Sequence, residues 1–110
     1  MSWLVRGDDV LATAELATSR ADRMRGLWHR PAPVGALVLA GPVLLHTLGV
    51  PYGVDVAFCD QNMVVVATMR LRRFRVARPR LGVKLVVVAA DGAFERWRLT
   101  MGDELEIRGP

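Results

Sequence analysis

The chain has 110 residues, 52% of them hydrophobic and 24% charged, with a single cysteine and a net charge of +4. That length fits one domain over 1–110 with a single modest core, and the apolar content argues against disorder. No apolar run approaches the roughly 20 residues of a membrane helix. Met1-Ser2-Trp3-Leu4-Val5 runs straight into Arg6 and Asp8 without a signal-peptide pattern, and Cys59 has no intramolecular disulfide partner, so the expected compartment is the cytoplasm.

Ser2 to Arg6 reads as a strand, Gly7-Asp8-Asp9 as a turn, and Val10 to Leu16 as the returning strand of a hairpin. Ser19 followed by Asp22 fits a capping box, so Arg20 to Arg25 is predicted helical, closed by Gly26, with Met24 and Leu27 facing the core. The prolines of His29-Arg30-Pro31-Ala32-Pro33 make a loop. Strands follow at Gly35 to Ala40 and Val43 to Thr47, separated by a Gly41-Pro42 turn, and then an irregular stretch over Gly49 to Gly53. Val54 to Cys59 alternates, with Val54, Val56 and Phe58 on one face and Asp55, Ala57 and Cys59 on the other.

Asp60-Gln61-Asn62 is a hairpin turn with Asn62 expected at positive φ, and Met63 to Met69 is the paired strand. Arg70 to Arg80 has no clear period and reads as an exposed, partly extended connection. Lys84 to Ala90, apolar on both faces, is a central strand. Asp91 caps a short helix over Ala93 to Leu99, and after a Met101-Gly102-Asp103 turn Glu104 to Arg108 is the last strand. The fold class is therefore mainly β (α+β with minor helix). A small single-domain barrel or sandwich is expected, with seven or eight short strands and one or two short helices.

The order of several segments resembles a known family. Arg23-Met24-Arg25-Gly26-Leu27 ends a helix, Gly35 leads an apolar strand, and His46-Thr47 is followed by Pro51 to Phe58 with its inner Asp55. An Asp60 to Asn62 turn and a late Gly102-Asp103 complete the series. The pattern is similar to the uncharacterised bacterial and archaeal family called domain of unknown function 192, over about Val10 to Ile107. The resemblance implies a compact β-rich fold with a minor helical part and no settled activity or catalytic residues. The chain departs from that pattern at Trp28, at Val88 where an acid is usual, and near Leu71 where a Pro is usual. Loss of the acid puts any carboxylate-based family site in doubt here.

Three function classes remain. The first is a small binding or accessory domain whose cleft for a small polar ligand lies near His46, Tyr52 and Asp55. A charge in mid-strand is costly unless paired or used, so Asp55 either binds ligand or accepts loop backbone N–H groups and pairs with an arginine, Arg23 being the first candidate. His46 has its own structural alternative, a half-buried imidazole bonded to a backbone carbonyl.

The second class is a nucleic-acid or anionic-partner module built on Arg70, Arg72, Arg73, Arg75, Arg78 and Arg80. Those six supply the whole charge excess, since the remaining nine basic residues face eleven acidic ones. Arginine's planar fork suits phosphate, and Phe74 among them could stack a base. A solvated loop docked by its apolar residues is the plainer reading.

The third class, an acid–base enzyme using Asp55 and His46, has no nameable substrate, so catalysis is not the favoured reading. His29, His46, Asp55 and Cys59 lack metal-ligand spacing, and no metal or other cofactor is expected. No nucleophile elbow or phosphate-binding glycine fingerprint occurs. Trp28, Trp97 and Tyr52 would serve as an aromatic platform or as packing.

Overall fold

In the computed structural model, residues 2–17, 34–41, 45–47, 50–78 and 80–109 are described, with backbone alone for Ala17, Leu45 and His46. The strands are β1 (Ser2–Arg6), β2 (Asp9–Ala17), β3 (Ala36–Ala40), β4 (Leu45–His46), β5 (Val54–Cys59), β6 (Val65–Leu71), β7 (Val76–Ala77), β8 (Leu85–Ala90) and β9 (Glu106–Arg108); one helix, α1 (Ala93–Trp97), follows β8. The protein is mainly β. The predicted helix over Arg20 to Arg25 and the loop over His29 to Pro33 lie outside the described residues, as does Arg23. No helix among the described residues is long and apolar enough to cross a membrane.

Seven strands form one mixed sheet in the order β6-β5-β8-β3-β2-β1-β9, and β4 and β7 form a two-stranded antiparallel sheet of their own. Within the large sheet β2 and β3 run parallel, whereas the other neighbours are antiparallel. The sheet curls without closing into a barrel. The segment before β9 laces onto the start of β6 through the Val64–Glu104 bridge and the bonds from Val65 N to Asp103 O (2.9 Å) and Leu105 N to Met63 O (2.9 Å). Beyond Val65, β6 is an edge among the described residues.

β8 is apolar throughout and β5 is apolar but for Asp55, because both faces of the sheet are covered. Val54, Val56, Phe58, Val86 and Val88 pack with Leu37, Leu39, Val50, Leu71, Ala77 and Val83. Their alternate neighbours Ala57, Cys59, Val87 and Ala89 pack with Leu4, Val38, Phe94, Leu99 and Leu105. The β4–β7 side thus covers the first cluster, and α1 covers the second. Val88 is fully buried between Leu37 and Val56.

Three local expectations need correction. Positive φ falls on Met63 (63°), not Asn62. The Asp60 carboxylate accepts the N–H groups of Asn62 and Val64, and Met63 N donates to Asp60 O, giving a three-residue loop that ends in a left-handed residue. β6 consequently begins at Val65, two residues later than expected. The Arg70 to Arg80 segment is not simply a connection: Arg70 and Leu71 end β6, Val76 and Ala77 form β7, and Leu71 and Ala77 are buried. The cap of α1 is Gly92, and Asp91 does not cap it.

Candidate anion-binding site

Asp55 is 4% exposed. Its Oδ2 accepts the backbone N–H groups of Gly92 and Phe94, each at 3.0 Å. Its Oδ1 lies 3.5 Å from Arg70 Nε, and that nitrogen is 2.8 Å from Asp91 Oδ1. Arg70 is the direct cross-strand neighbour of Asp55, which explains the pairing. The carboxylate therefore caps the short helix that begins after β8, and its arginine partner is Arg70.

Of the three residues expected to share a cleft, Tyr52 and Asp55 face opposite sides of β5. Tyr52 is half-buried against the core cluster of Val54, Val56 and Phe58, whereas Asp55 faces the cluster on the opposite side of β5. The backbone of His46 pairs with Val76 in the small sheet, and its side chain lies outside the described residues. Trp97 packs on Phe94 with ring centroids 5.6 Å apart, on the far side of the sheet from Tyr52, so these two aromatics form no common platform. Burial, reinforced by the charge of Asp60, pushes the Cys59 thiol up to about 11. Among the described residues no group of three or more His, Cys, Asp and Glu is placed to hold a metal ion.

An open groove of about 240 Å³ lies elsewhere, lined by Met69, Arg70, Leu71, Arg72, Arg75 and Val76. Its wall is the loop between β6 and β7, and that loop is held by Thr47, which is fully buried. Thr47 Oγ1 donates to Arg72 O (2.6 Å) and accepts from Arg75 N (3.0 Å). Thr47 N donates to Arg75 O (2.8 Å), and Thr47 O accepts from Phe74 N (3.1 Å) and Val50 N (3.0 Å). One residue thus fastens both ends of the arginine turn and its middle. Its sequence signal is slight: a hydroxyl at the end of an apolar strand.

The six arginines divide by partner. Arg70 is committed to Asp91 and Asp55. Arg73 lies 5.8 Å from the Phe74 ring centroid and Arg80 5.5 Å from that of Phe58. Arg75 donates to its neighbour's carbonyl, Phe74 O, at 3.3 Å. Among the described residues no carboxylate lies within ion-pair distance of Arg72, Arg73, Arg75, Arg78 or Arg80, and all five are exposed. Clustered over residues 72–80, these five charges create a local positive field. Arg72 and Arg75 bring planar donors to the groove, while Val76 and Met69 give it an apolar component.

Two solved structures share this fold. One is a "putative transcription regulator" from Sinorhizobium meliloti 1021, with a TM-score of 0.78 and 20% identity over 96% of this chain and 90% of that one. Another is a protein of unknown function from Novosphingobium aromaticivorans DSM 12444, with a TM-score of 0.74 and 15% identity over 96% of this chain and 83% of that one. No family model and no curated protein matches the chain.

Proposed function

We propose that this protein is a small binding module for phosphate-bearing or similarly anionic partners, and that the β6–β7 groove receives them. The carrying observation is that Arg72 and Arg75 line an open groove with no carboxylate paired to either among the described residues, on a turn fixed by Thr47. A backbone already fixed by Thr47 leaves only side-chain freedom to lose on binding, and guanidinium forks match anionic oxygen pairs. Asp55 supports the fold in this reading. The Sinorhizobium meliloti neighbour's description as a regulator agrees with an anionic partner, but the reading rests on the arginines.

Heparin, a polyanion without bases, tests this. The protein should bind it, with affinity falling steeply as salt rises, and Arg72→Ala/Arg75→Ala should lose most of that binding. Arg108→Ala, which removes an arginine paired with Glu106 at 3.0 Å on the opposite edge strand, should leave it unchanged. Salt-insensitive binding, or equal loss in the two variants, would remove the groove from consideration.

Kinship with domain of unknown function 192 belongs to the same proposal. It is supported by the order of motifs from Arg23 to Asp103 and agrees with a mainly β fold. An experimental structure of a family member with a strand order other than β6-β5-β8-β3-β2-β1-β9 would overturn it.

A further inference from the structure

We propose that the groove's partner is single-stranded nucleic acid, with Phe74 stacking on a base while Arg72 and Arg75 hold the flanking phosphates. This rests on the anion-binding reading above and names its partner class. Phe74 sits in the middle of the arginine turn, 52% exposed, at a φ of 60°. A bulky residue in the left-handed region is strained, and folding alone favours Gly or Asn there. The bond from Phe74 N to Thr47 O holds the backbone in that conformation. An exposed, strained aromatic on a fastened turn contributes little to the core, and strain of this kind concentrates at functional positions.

The surroundings fit a base better than a bare polyanion. Binding of single strands combines a positive groove with aromatic faces, and every base offers a π face. Here the ring, the Arg73 guanidinium near it, and the groove arginines occupy four consecutive residues, 72–75. Duplex reading needs a helix or a two-stranded ribbon in the major groove. The described helix, α1, packs Ala93 and Phe94 into the core on the other side of the sheet. Of the strands beside the arginine turn, β4 and β7 have two residues each, and β6 belongs to the seven-stranded sheet rather than to a free two-stranded ribbon. No such reading element stands next to the basic turn among the described residues.

The test compares, by fluorescence anisotropy at fixed salt, an oligothymidylate of about 12 nucleotides with an abasic strand of equal length. The thymidylate should bind at least about fivefold tighter. Phe74→Gly should erase that preference while keeping the fold, because glycine relieves the positive φ, and Phe74→Trp should retain it. Equal affinity for the two strands, alongside intact heparin binding, overturns the stacking proposal and leaves the anion-binding reading standing. Loss of heparin, abasic and thymidylate binding together overturns both. Tighter binding to a duplex of the same length, or Phe74-dependent binding to phosphatidylserine vesicles without thymidylate binding, also overturns the proposal. The latter result assigns the turn to an anionic membrane surface instead.

Discussion

The carboxylate of Asp55 on β5 accepts the backbone N–H of Phe94 at 3.0 Å, 39 residues farther along the chain. The helix α1 starts from Gly92, which has no side chain to cap it, and Asp55 supplies the missing acceptor from a neighbouring strand. Asp55→Ala should therefore cost about 2–4 kcal/mol, because it leaves two backbone donors without their acceptor at a largely buried position. Asp55→Asn, which keeps an acceptor oxygen, should cost less. Arg70→Ala should cost under about 1 kcal/mol, since that side chain is 52% exposed and exposed pairs contribute little. Urea unfolding midpoints at constant m-value measure all three. An unshifted midpoint for Asp55→Ala would contradict the capping role.

How far the sequence reveals this arrangement depends on the range of each interaction. The alternation of Val54 to Cys59 and the two-faced apolarity of Val86 to Ala89 are local, and they identify two strands, the second as a central one. Asp55 is legible as a charge needing a partner. Its partners, however, come from residues 70, 92 and 94, which reach it only because β5 lies between β6 and β8. Arg70 to Arg80 looks aperiodic because its buried residues, Leu71 and Ala77, belong to strands of two different sheets. The fastening role of Thr47 is hidden for the same reason: its six bonds to the arginine turn and Val50 are tertiary or loop contacts that the short strand before it does not announce.

Thr47→Val tests how firmly the arginine turn is fastened. Valine has nearly the same shape but no hydroxyl, so the bonds to Arg72 O and Arg75 N vanish at a site with no exposure. The expected cost is about 1–3 kcal/mol, with faster amide hydrogen exchange at Arg75 than at Val87 in the central strand. Unchanged exchange at Arg75 would mean that the backbone bonds of Thr47 suffice.

Gly35 precedes β3 at a point of close approach to β2. A Cβ placed there would meet Thr13 Oγ1 and would lie 2.5 Å from Thr13 O. Gly35→Ala should destabilise the protein by about 1–3 kcal/mol or more through this overlap. Adding Thr13→Ala should not restore stability, because the backbone oxygen remains in place. Full rescue by the double substitution would show that the hydroxyl alone is the obstacle.

Cys59 is fully buried, and its thiol is pushed up to about 11 by burial and then by the Asp60 charge. The neutral form prevails in the fold, so iodoacetamide at about pH 8 should label the native protein far more slowly than the urea-unfolded chain. The sign of the linkage follows: the unfolded thiol ionises first as pH rises past its ordinary value of 9.0, so the fold loses stability between there and about 11. Cys59→Ala should flatten that alkaline decline, and equal labelling rates for native and unfolded protein would contradict the burial.

Asp103 contributes to the acid limb of stability. The N–H of Thr100 donates to its Oδ2 at 3.0 Å, and Arg6 Nη1 reaches the same oxygen at 3.0 Å. Arg6 also donates to the carbonyls of Trp97 (2.8 Å) and Arg98 (3.1 Å), so the pair ties β1 to the end of α1. The Thr100 N–H first, and the Arg6 guanidinium with it, hold the Asp103 carboxyl below its ordinary value of 3.8. The fold thus favours the carboxylate, and as pH falls the unfolded chain takes up its proton first. The resulting stabilisation is fully present above the ordinary carboxylate range and disappears as pH falls through the lowered native value. Asp103→Asn keeps an acceptor for Thr100 but removes the charge facing Arg6. Its stability deficit should be largest near neutral pH and should shrink toward about pH 2. A deficit that stays constant across that range, in urea titrations of both proteins, would show that the contact works by shape and neutral hydrogen bonding alone.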